Sequence, residues 1–257
     1  MEFAKLFAMQ CSVGLFVLTI VGVATADEPD RATPAEIVAP FVGKDTLFLV
    51  RSSQRSTDVG RLFDKFGEII KALMPIDEKE HLAEEQADMT AGFKTLETAG
   101  GTEYYFVALP VVVIIPLPPS GDRKTISEMY PPEHVIEQRP GALIAVQSRA
   151  EMDELKAMKV VRRPKLRPAF AAAHGGVIQV ILLPPRAKKA NKTIADEGLN
   201  VAVAALLKSV RGGGAMNHVS WVAAGVDLTP RAAFRLTVKC KGPEAAKELR
   251  DRWQFAL

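Results

Sequence analysis

Few residues in this chain have the types and spacing that chemistry needs. His218 and Asp227 flank a short apolar run, with Asn217 and Ser220 beside the histidine. A histidine oriented by a carboxylate can act as a general base, and a nearby serine could be its nucleophile. Glu78-x-x-His81, with Glu84 and Glu85 one turn on, has the spacing that turns two metal ligands to one side of a helix. Carboxylate di-metal sites need a second such pair on another helix, and none occurs here. His174-Gly175-Gly176 has the outline of an oxyanion loop, but no Gly-x-Ser-x-Gly elbow accompanies it. The glycine run 212–214 follows a helical pattern rather than opening one, so it reads as a helix end and not as a phosphate cradle. Asn191-Lys192-Thr193 fits a glycosylation acceptor, though Thr193 also suits a helix cap. No motif commits the chain to a reaction, and the sequence calls for no metal and no cofactor.

Positive charge is the more pronounced feature. Lys159, Arg162, Arg163, Lys165 and Arg167 form one cluster; Arg186, Lys188, Lys189 and Lys192 form a second. Such clusters attract anionic partners, here envelope polymer or lipid headgroups. The net charge of +3 is too mild to argue for nucleic acid.

The elements that would position these residues begin after an export signal. Cys11 to Val23 is almost wholly apolar, and Ala24-Thr25-Ala26 supplies the small residues of a cleavage site. Residues 1–26 are therefore expected to be a signal peptide, leaving no membrane span after cleavage. The destination is the periplasm, cell envelope or extracellular space. Of the two cysteines only Cys240 would remain, so no internal disulfide can form. Cys240 falls on the apolar side of its strand, which suits a buried thiol.

Residues 27–44 read as an extended leader and 45–257 as an α+β domain. Strands are expected near 46–50, 102–109, 111–115, 142–147, 177–183 and 219–226. Phe234, Leu236, Val238 and Cys240 alternate with Arg235, Thr237, Lys239 and Lys241, the period of a strand wet on one face. The connection around 227–230 suits an antiparallel hairpin. Val59, Leu62, Phe63, Phe66, Ile69, Ile70 and Leu73 make a helical stripe that Pro75 ends. Further helices are expected over 77–98, around Met152 to Met158, near Phe170, over 193–210, and from Pro243. Six prolines between 116 and 140 mark a long connection or subdomain boundary. The expected fold is a largely antiparallel sheet with helices packed on one face. Gly-Gly before two of the strands hints at two similar tandem subdomains.

Asp45-Thr-Leu-Phe-Leu-Val-Arg51, Ser220-Trp-Val-Ala-Ala-Gly-Val-Asp-Leu228 and Pro243-Glu-Ala-Ala-Lys-Glu-Leu249, together with the signal peptide, resemble a loose family of exported bacterial proteins of unknown function. The resemblance implies a strand near the mature start and a tryptophan-bearing strand, hairpin and Ala-rich helix near the end. It implies no activity and transfers no functional residue. The expectation is a non-enzymatic, envelope-associated or ligand-binding module; the alternative is a secreted hydrolase with a site assembled around His218.

Overall fold

The structure is a computed structural model that describes residues 32–44, 46–53, 58–64, 82–108, 111–173, 177–183, 219–228 and 233–254. Residues 1–26, expected to be a signal peptide, lie outside them, as do 78–81, 174–176 and 184–218.

The described elements begin with α1 (Pro34–Val38), a 3-10 turn (Ala39–Phe41), β1 (Phe48–Ser52) and a helical segment at 58–64. It continues through α2 (Leu82–Thr98), β2 (Tyr104–Ala108), β3 (Val112–Pro116), α3 (Arg123–Glu128), β4 (Val135–Arg139), β5 (Ala142–Val146), α4 (Arg149–Ala157) and α5 (Leu166–Ala173). The remaining elements are β6 (Ile178–Leu182), β7 (Val219–Asp227), β8 (Ala233–Cys240) and α6 (Pro243–Gln254). All eight strands form one sheet in the order β4-β5-β3-β2-β1-β6-β7-β8, and every neighbouring pair is antiparallel. The α+β class and the antiparallel sheet are as the sequence predicts.

The helices, however, lie on both faces of that sheet rather than on one. Successive strand residues point to opposite sides, and here both sides are apolar. Phe48, Val50, Tyr104 and Phe106 join Val59, Leu62, Phe63, Met89, Phe93 and Leu96 in one core. Leu49, Tyr105, Val107, Ile114 and Ile144 join Ala35, Val38, Met152, Leu155, Leu166 and Phe170 in the other. The central strands are thus near-continuous apolar runs because helices cover them twice.

The leader holds more structure than its composition implies, since Ala35 and Val38 of α1 and Phe41 are buried in the second core. The proline-rich stretch 116–140 contains α3 and β4, and β4 pairs with β5 in the same sheet as everything around it. Asp122 starts α3 by accepting from the Lys124 and Thr125 amides. The structure of β8 matches its predicted hairpin with β7, with Leu236 and Val238 partly buried against the first core. Cys240 is half-buried.

Ser148 opens α4 with a reciprocal cap: its Oγ accepts the Glu151 amide at 3.3 Å, and the Glu151 carboxylate accepts the Ser148 amide at 3.0 Å. Removing such a cap costs about 1 kcal/mol. Ser148→Ala should therefore lower the urea midpoint by that amount without changing the slope. An unchanged midpoint would show that Met152 and Leu155 alone hold the helix.

Candidate functional site

Two constellations of polar side chains emerge from the fold. The first is a basic ridge on the second face. After α4 the chain runs without regular structure from Met158 to α5, yet its path is fixed. The Val161 amide donates to Val42 O at 3.2 Å. Arg163 Nη2 donates to Gly43 O at 2.6 Å and to Lys44 O at 2.9 Å. Met158, at the start of the connection, packs on Gly43, where a Cβ would lie 2.6 Å from its Sδ. Arg163 thus fastens the ridge to the segment before β1, while Lys159, Arg162, Lys165 and Arg167 are exposed. Val160, 52% exposed, is the one large apolar residue so exposed among the described residues.

Arg167, in the first turn of α5, also acts on Glu36 of the neighbouring α1. The Glu36 carboxyl is held below the usual carboxylate range, chiefly by the Thr33 amide, which donates to Glu36 Oε2 at 2.8 Å; the Arg167 charge is the smallest contribution. The structure therefore leaves Arg162, Lys165 and Arg167 exposed and gives Arg163 an internal fastening role. Arg186, Lys188 and Lys189 lie outside the described residues.

The second constellation was not anticipated. Sheet register sets Tyr105, Arg51, Gln179, Gly225 and Arg235 in one row across five strands, on the second face. Arg51 Nε donates to Glu103 Oε2 at 2.8 Å and Arg51 Nη1 to Gln179 Oε1 at 3.1 Å. Gln179 in turn reaches Phe170 O of α5 at 3.5 Å. Glu103 and Gln179 are buried, and the Arg51 side chain is 18% exposed. Tyr105 is fully buried. Its hydroxyl titrates well above the ordinary tyrosine value, mainly because burial disfavours the phenolate and next because the Glu103 charge repels it. Gly225 sits beneath the end of α5: a Cβ built on it would come within 2.0 Å of Ala173 O.

This row crosses the C-terminal end of α5, where unpaired carbonyls carry partial negative charge. Gln179 answers one of those carbonyls directly, and Arg51 orients Gln179. The cluster is thus a buried polar clamp between sheet and helix. In the sequence Gln179 is a lone polar residue inside an apolar run, Ile178-Gln-Val180, while Arg51 and Glu103 stand at the ends of theirs, next to Ser52 and Thr102. Only the register brings them together.

Compared with protein-family models, with curated proteins and with solved structures, the chain matches none of them. The site residues are therefore judged on their geometry. His218 lies outside the described residues. Ser220 and Asp227 lie near opposite ends of β7, roughly 20 Å apart at about 3.3 Å per strand residue, so those two side chains do not act on the same bond. Burial raises the Asp227 carboxyl above its ordinary value. Glu78 and His81 also lie outside the described residues. No described helix is long and apolar enough to cross a membrane.

Proposed function

We propose that this protein is an exported, non-enzymatic module that binds anionic envelope material, polymer or lipid headgroup, through its basic ridge. The observation that supports this reading is the fixed presentation of Lys159, Arg162, Lys165 and Arg167, all exposed, on a connection fastened by Arg163 and the Val161 amide. A fastened ridge loses less side-chain and backbone freedom on binding than a loose tail would. Its four charges lie close enough in sequence to act together within a screening length of about 10 Å at 0.1 M salt. Val160 adds an apolar contact in their midst. Arg186, Lys188 and Lys189 join the same proposal from the sequence alone.

Near an anionic surface each lysine or arginine contributes about 1 kcal/mol. Reversing three of them in Arg162→Glu/Lys165→Glu/Arg167→Glu should weaken binding about a hundredfold or more. The measurement is co-sedimentation of the signal-free protein with vesicles bearing anionic headgroups, run beside retention on an immobilised polyanion in a salt gradient. Loss on both supports reports charge alone, and loss on vesicles only identifies lipid. Salt-insensitive binding, or binding equal in the variant, would reject the proposal. Arg163 is left intact so that the ridge keeps its shape.

A further inference from the structure

The strand order carries a second surface. Outward from where they meet, β1-β2-β3 and β6-β7-β8 are laid out alike. In each set the first strand stands where the two sets meet, the second beside it, and the third follows by a hairpin. A helix comes after each third strand, α3 in one set and α6 in the other. The two sets meet where β1 pairs with β6, antiparallel, with Val50 opposite Val180. The two sets differ at their outer strands. The outer side of β3 is taken by β5, with Val113 opposite Ala145 and Ile115 opposite Leu143. Among the described residues β8 pairs only with β7.

The two sheet edges are unlike. At the other end β4 is five residues long, lies between Pro132 and Pro140, and has its Glu137 carboxylate paired with Lys156 at 2.5 Å and Arg139 at 3.1 Å. Proline and satisfied charge of this kind close an edge. By contrast β8 spans eight residues without proline, and the irregularity in its ladder falls on the Val219/Trp221 side. Its two faces offer different chemistry. Leu236 and Val238 lie toward the first core, opposite Ala224 and Val222; Arg235 and Lys239 lie toward the second, opposite Gly225 and Trp221. Lys239 is exposed.

We infer that the outer edge of β8 receives an extended acidic segment of a partner protein, in the position that β5 occupies beside β3. Main-chain hydrogen bonds would hold the added strand, and alternate side chains would select it. The selecting pattern is apolar residues beside Leu236 and Val238 and carboxylates beside Arg235 and Lys239. The same cations disfavour a second copy of β8 in the register centred on Thr237, where Arg235 and Lys239 would face each other. This inference stands apart from the basic ridge.

The test uses the signal-free chain and two synthetic eight-residue probes, one alternating valine with glutamate and one alternating valine with lysine. Binding is read by fluorescence anisotropy and located by amide hydrogen exchange. The glutamate probe should bind, slow exchange in 233–240, and leave 135–139 unchanged. Lys239→Glu, an exposed substitution, should weaken the glutamate probe about tenfold and strengthen the lysine probe. The ridge variant with residues 162, 165 and 167 reversed should bind the glutamate probe as before. Three results would overturn the inference: no binding of the glutamate probe, binding that protects residues outside β8, or a dimer by light scattering that Lys239→Glu does not change.

Discussion

Glu103→Ala is expected to lower stability by about 3 kcal/mol, read as a shift in the urea midpoint. The reason is what it leaves behind. Glu103 is 4% exposed and accepts from Arg51 Nε at 2.8 Å. Without it, a guanidinium that is 18% exposed keeps its hydrogen bond from Nη1 to Gln179 Oε1 but loses its counter-charge. Breaking a buried ion pair from one side costs about 3–5 kcal/mol, because a charge remains in low dielectric without compensation. The low end applies here, since Arg51 retains some contact with water. The control is the double variant Arg51→Met/Glu103→Leu, which removes both charges and keeps apolar volume. It should recover most of the loss, as replacements of whole buried pairs often do. If Glu103→Ala melts like the parent chain, the clamp between sheet and α5 contributes nothing.

The second large effect is expected at Gly225. Its Cα faces the end of α5 so closely that a built Cβ lies 2.0 Å from Ala173 O and 3.0 Å from Ala173 C. Both atoms are backbone, so no side-chain rotation can relieve the contact. Gly225→Ala must move the helix end or the strand, and overpacking of this kind costs about 1–3 kcal/mol, occasionally more. We expect about 3 kcal/mol, because moving α5 also stretches the already long 3.5 Å bond from Gln179 to Phe170 O. Thermal unfolding followed by circular dichroism decides it. A methyl group accommodated at no cost would mean that α5 is free to slide on β7. Gly225→Ala and Glu103→Ala should not add independently, since both load the same helix end.

Most strands announce themselves in the sequence because they are short apolar runs between turn residues. Thr102 to Leu109 and Val177 to Leu183 needed no structure to be seen, and Phe234 to Cys240 gave a clean alternation. β4 was hidden for a physical reason. Val135-Ile-Glu-Gln-Arg139 is an edge strand with half-buried side chains, so it lacks both continuous apolarity and alternation. α3 has one buried residue, Ile126, which cannot make a stripe. The helices lie on two faces rather than one because apolar residues stand at consecutive positions, Phe48-Leu49-Val50, and so point to both sides. They mean a sheet covered twice.

The candidate site was legible to a similar degree. The cations of the ridge are adjacent in sequence and needed no fold to be grouped. The division of labour within them did, since nothing distinguishes Arg163 from Arg162 until the carbonyls of Gly43 and Lys44 are placed beside it. Arg51 and Gln179 come from strands far apart in the sequence, and Glu103 from the residue just before β2. No spacing rule connects them, and only strand register could.

The pairing of β1 with β6 also sets an order of events during synthesis. β1 is made early, and β2 can join it soon after α2. Its other neighbour spans Ile178–Leu182, so that side of β1 stays open while β3, β4, β5 and three more helices emerge. A growing chain thus displays a strand apolar on both faces until residue 182 has left the ribosome. Whatever handles the nascent chain must shield Phe48–Ser52 for that whole interval, and a chain stopped short of β6 would offer the sheet's centre as a sticky edge.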